Sequence, residues 1–219
     1  MRNSISTFIV IAVLSLLAVP AMATSVVFSG NVGGLPENIT FDYTFSADSL
    51  VFDLTNNIVG PSSIGQNLSA IDFIVMGGLT GTLTSVSGPL IDIVGDGSFV
   101  PMAGVPDWFQ VVPGSFYTTG LGSSGPDDTL IGLPCVSGTY DCSDFSIRGN
   151  GPHNPFASGT LVLVYSVPGA TADTELTSLT GYFGTLPLSA DIPLGGVPEP
   201  ATMALIGFGL LCLGAFRKL

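Results

Sequence analysis

The 219-residue chain predicts an all-β fold, an antiparallel β-sandwich. Three observations carry this expectation. Short apolar stretches recur through the middle of the chain, the clearest of them with a period of two residues. Turn-forming pairs separate them at short intervals: Gly33-Gly34, Gly60-Pro61, Gly77-Gly78, Gly88-Pro89, Gly125-Pro126 and Gly151-Pro152. No stretch of the body sustains the 3.6-residue period of an amphipathic helix. A jelly roll is one arrangement compatible with this pattern, and the strand pairing is left open.

The expected strands, in order, are Ser25–Ser29, Ile39–Phe45, Leu50–Leu54, Ile71–Val75, Thr82–Val86, Phe109–Val112, Phe145–Arg148 and Thr160–Val167. In Ile39–Phe45, the side chains of Ile39, Phe41, Tyr43 and Phe45 share one face and Thr40, Asp42 and Thr44 the other. One dry face and one wet face describe a half-buried strand. Leu161–Tyr165 is apolar on both faces, which suits a strand in the interior of a sheet.

Both ends differ from this body. At the start, Met1-Arg2 is followed by a mostly apolar run from Ile5 to Val19 and by Ala21-Met22-Ala23. A basic start, a greasy stretch and a small-x-small site form a secretory signal peptide, with cleavage expected between Ala23 and Thr24. An uncleaved N-terminal anchor is the alternative. At the other end, Ala201–Phe216 carries no charge and Arg217-Lys218 follow it. Sixteen helical residues rise about 24 Å, a little short of a hydrocarbon core of about 30 Å. Local thinning and the reach of Arg217 and Lys218 to the cytoplasmic interface can close that gap. Pro198 and Pro200 precede the apolar run, so a transmembrane helix starts near Ala201 and Glu199 sits at the bilayer edge. On these grounds alone the tail also fits a plain C-terminal anchor. The expected organisation is a signal peptide over 1–23, an exported domain over 24–190, a tether over 191–196 and a membrane-associated tail over 197–219.

The motif Val197-Pro198-Glu199-Pro200-Ala201-Thr202, followed by an apolar segment and a basic end, closely resembles the PEP-CTERM sorting signal of exported proteins in Gram-negative bacteria. The resemblance covers residues 197–219 and does not reach the body. It implies recognition of Pro198, Glu199 and Pro200 by an exosortase, a membrane-embedded, transpeptidase-like enzyme. It further implies a cell that makes exopolysaccharide and a place in biofilm or floc matrix. Only two basic residues close the tail, which is a modest stop. Other partners expected are signal peptidase and the secretion machinery, the membrane, and extracellular polysaccharide.

Between residues 24 and 196, Arg148 is the only basic side chain against fifteen acidic ones, a formal charge of −14. Nothing there neutralises phosphates, which excludes nucleic-acid binding and argues against docking on anionic lipid. Net charge of this size keeps a body soluble and attracts cations. Of the three cysteines, Cys135 and Cys142 lie in a turn-rich segment of an exported body and are expected to form a disulfide. Cys212 falls in the tail as a free thiol.

Catalytic equipment is sparse, and no catalytic residue or metal ligand is assigned. Gly120–Gly125 matches GxGxxG in form, but Pro126-Asp127-Asp128 follows and no βαβ unit surrounds it, so it reads as a loop. His153 is the one histidine and has no nucleophile elbow to serve. Asp92 with Asp96, and Asp127, Asp128, Asp141 and Asp144, supply oxygens of the kind calcium takes, without EF-hand spacing. Trp108 is either a sugar-stacking ring or a core anchor. Asn38-Ile-Thr40 and Asn67-Leu-Ser69 fit the glycosylation pattern. No cofactor is expected. These readings converge on a non-enzymatic exported surface or matrix protein. The alternatives are a carbohydrate-binding or calcium-dependent adhesion module and a secreted hydrolase using aspartates.

Overall fold

The computed structural model describes residues 23–121, 127–185 and 188–194. They form an all-β structure of mostly antiparallel strands: β1 (Thr24–Val32), β2 (Leu35–Ser46), β3 (Ser49–Asn56), β4 (Leu68–Val75), β5 (Thr82–Ser87), β6 (Leu90–Ile93) and β7 (Phe99–Met102). There follow β8 (Phe109–Gln110), β9 (Thr118–Thr119), β10 (Phe156–Ala157), β11 (Thr160–Ser166), β12 (Leu176–Phe183) and β13 (Leu188–Asp191). One five-stranded sheet has the order β1-β2-β3-β11-β5, and a second the order β13-β12-β4-β9-β8. A small third sheet, β10-β6-β7, stands at one end.

The first sheet follows from alternation. Ile39, Phe41, Tyr43 and Phe45 of β2 all point inward, as do Leu50, Phe52 and Leu54 of β3. The β2–β3 register sets Phe41 opposite Leu54 and Phe45 opposite Leu50, so each inward residue meets another across the ladder. A two-residue turn at Ala47-Asp48 joins them; Asp48 takes φ +54° and its carboxylate accepts the Gly169 N–H at 2.7 Å. As expected, β11 lies inside the sheet, between β3 and β5, with Leu161, Leu163 and Tyr165 fully buried.

The two large sheets share one apolar core. Phe73 of β4 lies 4.9 Å from Phe52 and 5.3 Å from Tyr165, ring centre to ring centre, and Phe116 stacks on it at 4.4 Å. Tilted and edge-on pairs of this kind add to the burial of large ring surfaces. The Tyr165 hydroxyl donates to Thr118 Oγ1 at 2.7 Å, so the ring is buried without an orphaned polar atom.

A second core of Ile91, Ile93, Ile131, Tyr140, Ile147 and Phe156 sits under the small sheet. Isolated bridges from Leu130 to Leu68 and to Ala157 tie it to β4. Buried polar side chains complete the joint: Asn56 Nδ2 donates to the carbonyls of Gln66 and Leu130, and Gln66 Nε2 donates to that of Pro36.

Three expectations need correction. Phe145–Arg148 is a turn, in which the Ile147 and Arg148 N–H groups bond the Asp144 carbonyl; its apolar character reflects Ile147, which fills the second core. The stretch expected as strand Phe109–Val112 is a strand only over Phe109–Gln110. Residues 191–194, assigned to a tether, are ordered body: Asp191 ends β13, the Ile192 N–H donates to the Leu179 carbonyl at 2.8 Å, and Ile192 is buried.

Candidate functional site

The described body ends at Leu194, beside the edge strands of the two large sheets. β13 pairs with β12 from Leu188 opposite Phe183 to Asp191 opposite Thr180. It is therefore an edge strand, and Leu194 packs against the main core beyond it. β1, the edge strand of the facing sheet, lies alongside, with Phe28 and Phe183 ring centres 6.1 Å apart. β1 begins at Thr24, opposite Tyr43, so the first residue after the expected signal cleavage is already hydrogen-bonded into the ladder.

The sorting motif Val197, Pro198, Glu199 and Pro200, the basic pair Arg217 and Lys218, and Ala21 of the signal site lie outside the described residues. So do the signal segment, the apolar tail with Cys212, and most of the GxGxxG loop. Among the described residues no helix is long and apolar enough to cross a membrane.

Cys135 and Cys142 are joined by a disulfide with Cα atoms 6.2 Å apart. Gly60 packs on it: φ is +63°, and a Cβ there would meet Cys142 Sγ at 2.7 Å, so the position requires glycine. Both sulfurs are thereby committed. The only cluster of three metal-type ligands among the described residues is Cys135, Asp141 and Cys142, and two of its three members belong to the disulfide.

The acidic residues singled out in the sequence do not converge. Asp96 caps its own turn, accepting from the Ser98 N–H at 2.9 Å and hydroxyl at 2.7 Å, which holds its carboxyl below the usual range. Asp141 accepts the Ser137 hydroxyl at 2.7 Å, and Asp144 the Ser146 N–H at 2.8 Å. Asp128 lies elsewhere, buried at φ +62°; one oxygen accepts the Asp107 N–H at 2.6 Å. Burial pushes its carboxyl up, and the charges of Asp127 and Asp107 add to that. Local capping accounts for Asp96, Asp141 and Asp144.

Trp108 is a core anchor, only 3% exposed. Its indole N–H donates to the Asp128 carbonyl at 2.6 Å, and its ring lies so close to Gly120 that any Cβ there would collide. That contact explains the first glycine of the GxGxxG pattern without a phosphate. His153 Nδ1 is engaged by the Ser146 carbonyl and by Asn150 Nδ2. Of the two glycosylation patterns, Asn67 is fully buried with its amide on Thr129, whereas Asn38 is partly exposed on β2.

One residue was not singled out at all. Glu37 is 2% exposed, neither carboxylate oxygen has a hydrogen-bond partner among the described residues, and burial pushes its carboxyl from 4.5 up to about 8. The signal was present, because Glu37 is two residues before Ile39 and in phase with the inward face.

Residues 196–218 match the family model of the PEP-CTERM protein-sorting motif, so the chain carries this motif at its C-terminal end. The motif implies export, processing by an exosortase at the membrane, and membrane-linked sorting to the cell surface. No curated protein and no solved structure matches the chain.

Proposed function

We propose that this chain is an exported, non-enzymatic surface or extracellular-matrix protein, associated with biofilm or exopolysaccharide, whose β-sandwich body is delivered through its C-terminal signal. The observation that carries the reading is the sorting motif at 196–218. In this reading a signal peptide over 1–23 directs export, a helix over 201–216 halts the chain in the bilayer, and Glu199 is presented to an exosortase at the membrane edge. Two features favour a role without catalysis: His153 Nδ1 is engaged by the Ser146 carbonyl and the Asn150 amide, and Asp141 and Asp144 are each held by a nearby serine. A sugar-stacking role at Trp108 gains no support from a ring that is buried.

Fractionation of cells that make exosortase tests the proposal. Wild-type chain should reach the surface or medium, and Glu199→Ala or a chain ending at Gly196 should be misrouted. Unchanged processing and location in both variants would sink the sorting role.

A further inference from the structure

From the strand directions we infer that the body stands on the membrane in one orientation, with its short-turn end inward and its disulfide-bearing end outward. The inference rests on the membrane-held tail proposed above and adds which surface meets the bilayer.

The two routes toward the membrane leave from the same end. β1 begins at Thr24, opposite Tyr43 in the lower part of β2, and runs toward the Gly33-Gly34 turn. At that far turn Gly33 touches Leu188, the first residue of β13. β13 then runs back, and the chain continues past Leu179 to Leu194. The β11–β12 loop lies at this exit end too: the Glu175 carbonyl accepts the Met76 N–H just past the end of β4. The turns at Asp48, Gly77-Gly78 and Thr171–Thr174 share this end. The small sheet, the second core and the disulfide occupy the opposite one, beyond Asn56 and Leu68.

Length then decides the orientation. β2 alone has 12 residues, about 40 Å of strand. Residues 195–200, between the body and the apolar run, span at most about 20 Å when fully extended. An inverted body would need a tether at least twice as long. Charge disfavours inversion over anionic lipid: Asp92, Asp96, Asp107, Asp141 and Asp144 lie toward the far end, against Asp48, Asp173 and Glu175 at the exit end. The exposed side chains of Val136 and Phe145, at the far end, therefore face the exterior rather than lipid.

The test uses the chain from Thr24 to Leu219 with Cys212→Ser, reconstituted in phosphatidylcholine–phosphatidylglycerol vesicles that carry a nitroxide on the lipid headgroup. A thiol fluorophore is placed at Asp173→Cys in one sample and Val105→Cys in another, both exposed positions, and an unchanged thermal midpoint verifies folding. The expected result is loss of most emission at 173 and none at 105. Equal quenching, stronger quenching at 105, or none at either site on vesicle-bound chain overturns the orientation while leaving the tail as an anchor. Failure of the chain to float with vesicles overturns the anchoring itself, and the orientation with it.

Discussion

Glu37 occupies a position that the alternation of β2 otherwise reserves for hydrocarbon. Its carboxyl is held at about 8 by burial, against 4.5 in an exposed chain. The native state therefore keeps a proton that the unfolded chain has already released. Between those two values native stability falls as pH rises, by up to about 1.4 kcal/mol per pH unit, and it levels off above the upper one. Urea midpoints from pH 5 to pH 9 should show this decline in the wild type. Glu37→Gln should remove that part of the slope and be the more stable protein at pH 8; identical profiles would mean that the carboxyl is solvated. Trp108 gives a second residue-level expectation. Trp108→Ala empties a core site and leaves the Asp128 carbonyl unpaired, at a cost of about 3–5 kcal/mol in denaturant unfolding. A loss below about 1 kcal/mol would contradict the anchor role.

Among the elements, the disulfide loop and the small sheet form a unit with its own core. In the chain-entropy account, Cys135–Cys142 contributes about 2.5 kcal/mol by closing a short loop. The loss on Cys135→Ser/Cys142→Ser should be felt locally. Amide exchange should accelerate around Ile131, Tyr140 and Ile147 while Phe41 and Leu163 in the main core stay protected. Uniform acceleration would show that the two cores unfold together. This unit was also the least legible part of the sequence. β2 and β3 are legible because their inward faces are apolar over most of their length, and β11 because its run is apolar on both faces. β6, β7 and β10 are two to four residues each, too short for alternation to register. β12 was missed for another reason: Thr177, Ser178, Thr180 and Gly181 dilute its pattern, and only Leu176, Leu179 and Phe183 carry its buried face. Asp191-Ile192 looked like the start of a tether because the edge strand holding it contributes few apolar side chains.

For the molecule as a whole, the sequence separates two kinds of information. The sorting motif at 196–218 is written in local order, as a short run of neighbouring residues. The partners of the body, by contrast, arise from residues far apart in the chain, as when Asp107, Trp108, Gly120 and Asp128 assemble one packed corner. Single aspartates could not reveal from spacing that they cap separate turns. The central claim remains that the tail is a processing signal on an exported body, and the mass of the mature chain tests it most directly. Intact-mass measurement of the protein recovered from the surface of exosortase-bearing cells should give a chain that starts at Thr24 and lacks the apolar residues 201–219. A surface-recovered chain that retains Ala201 through Leu219 would contradict it.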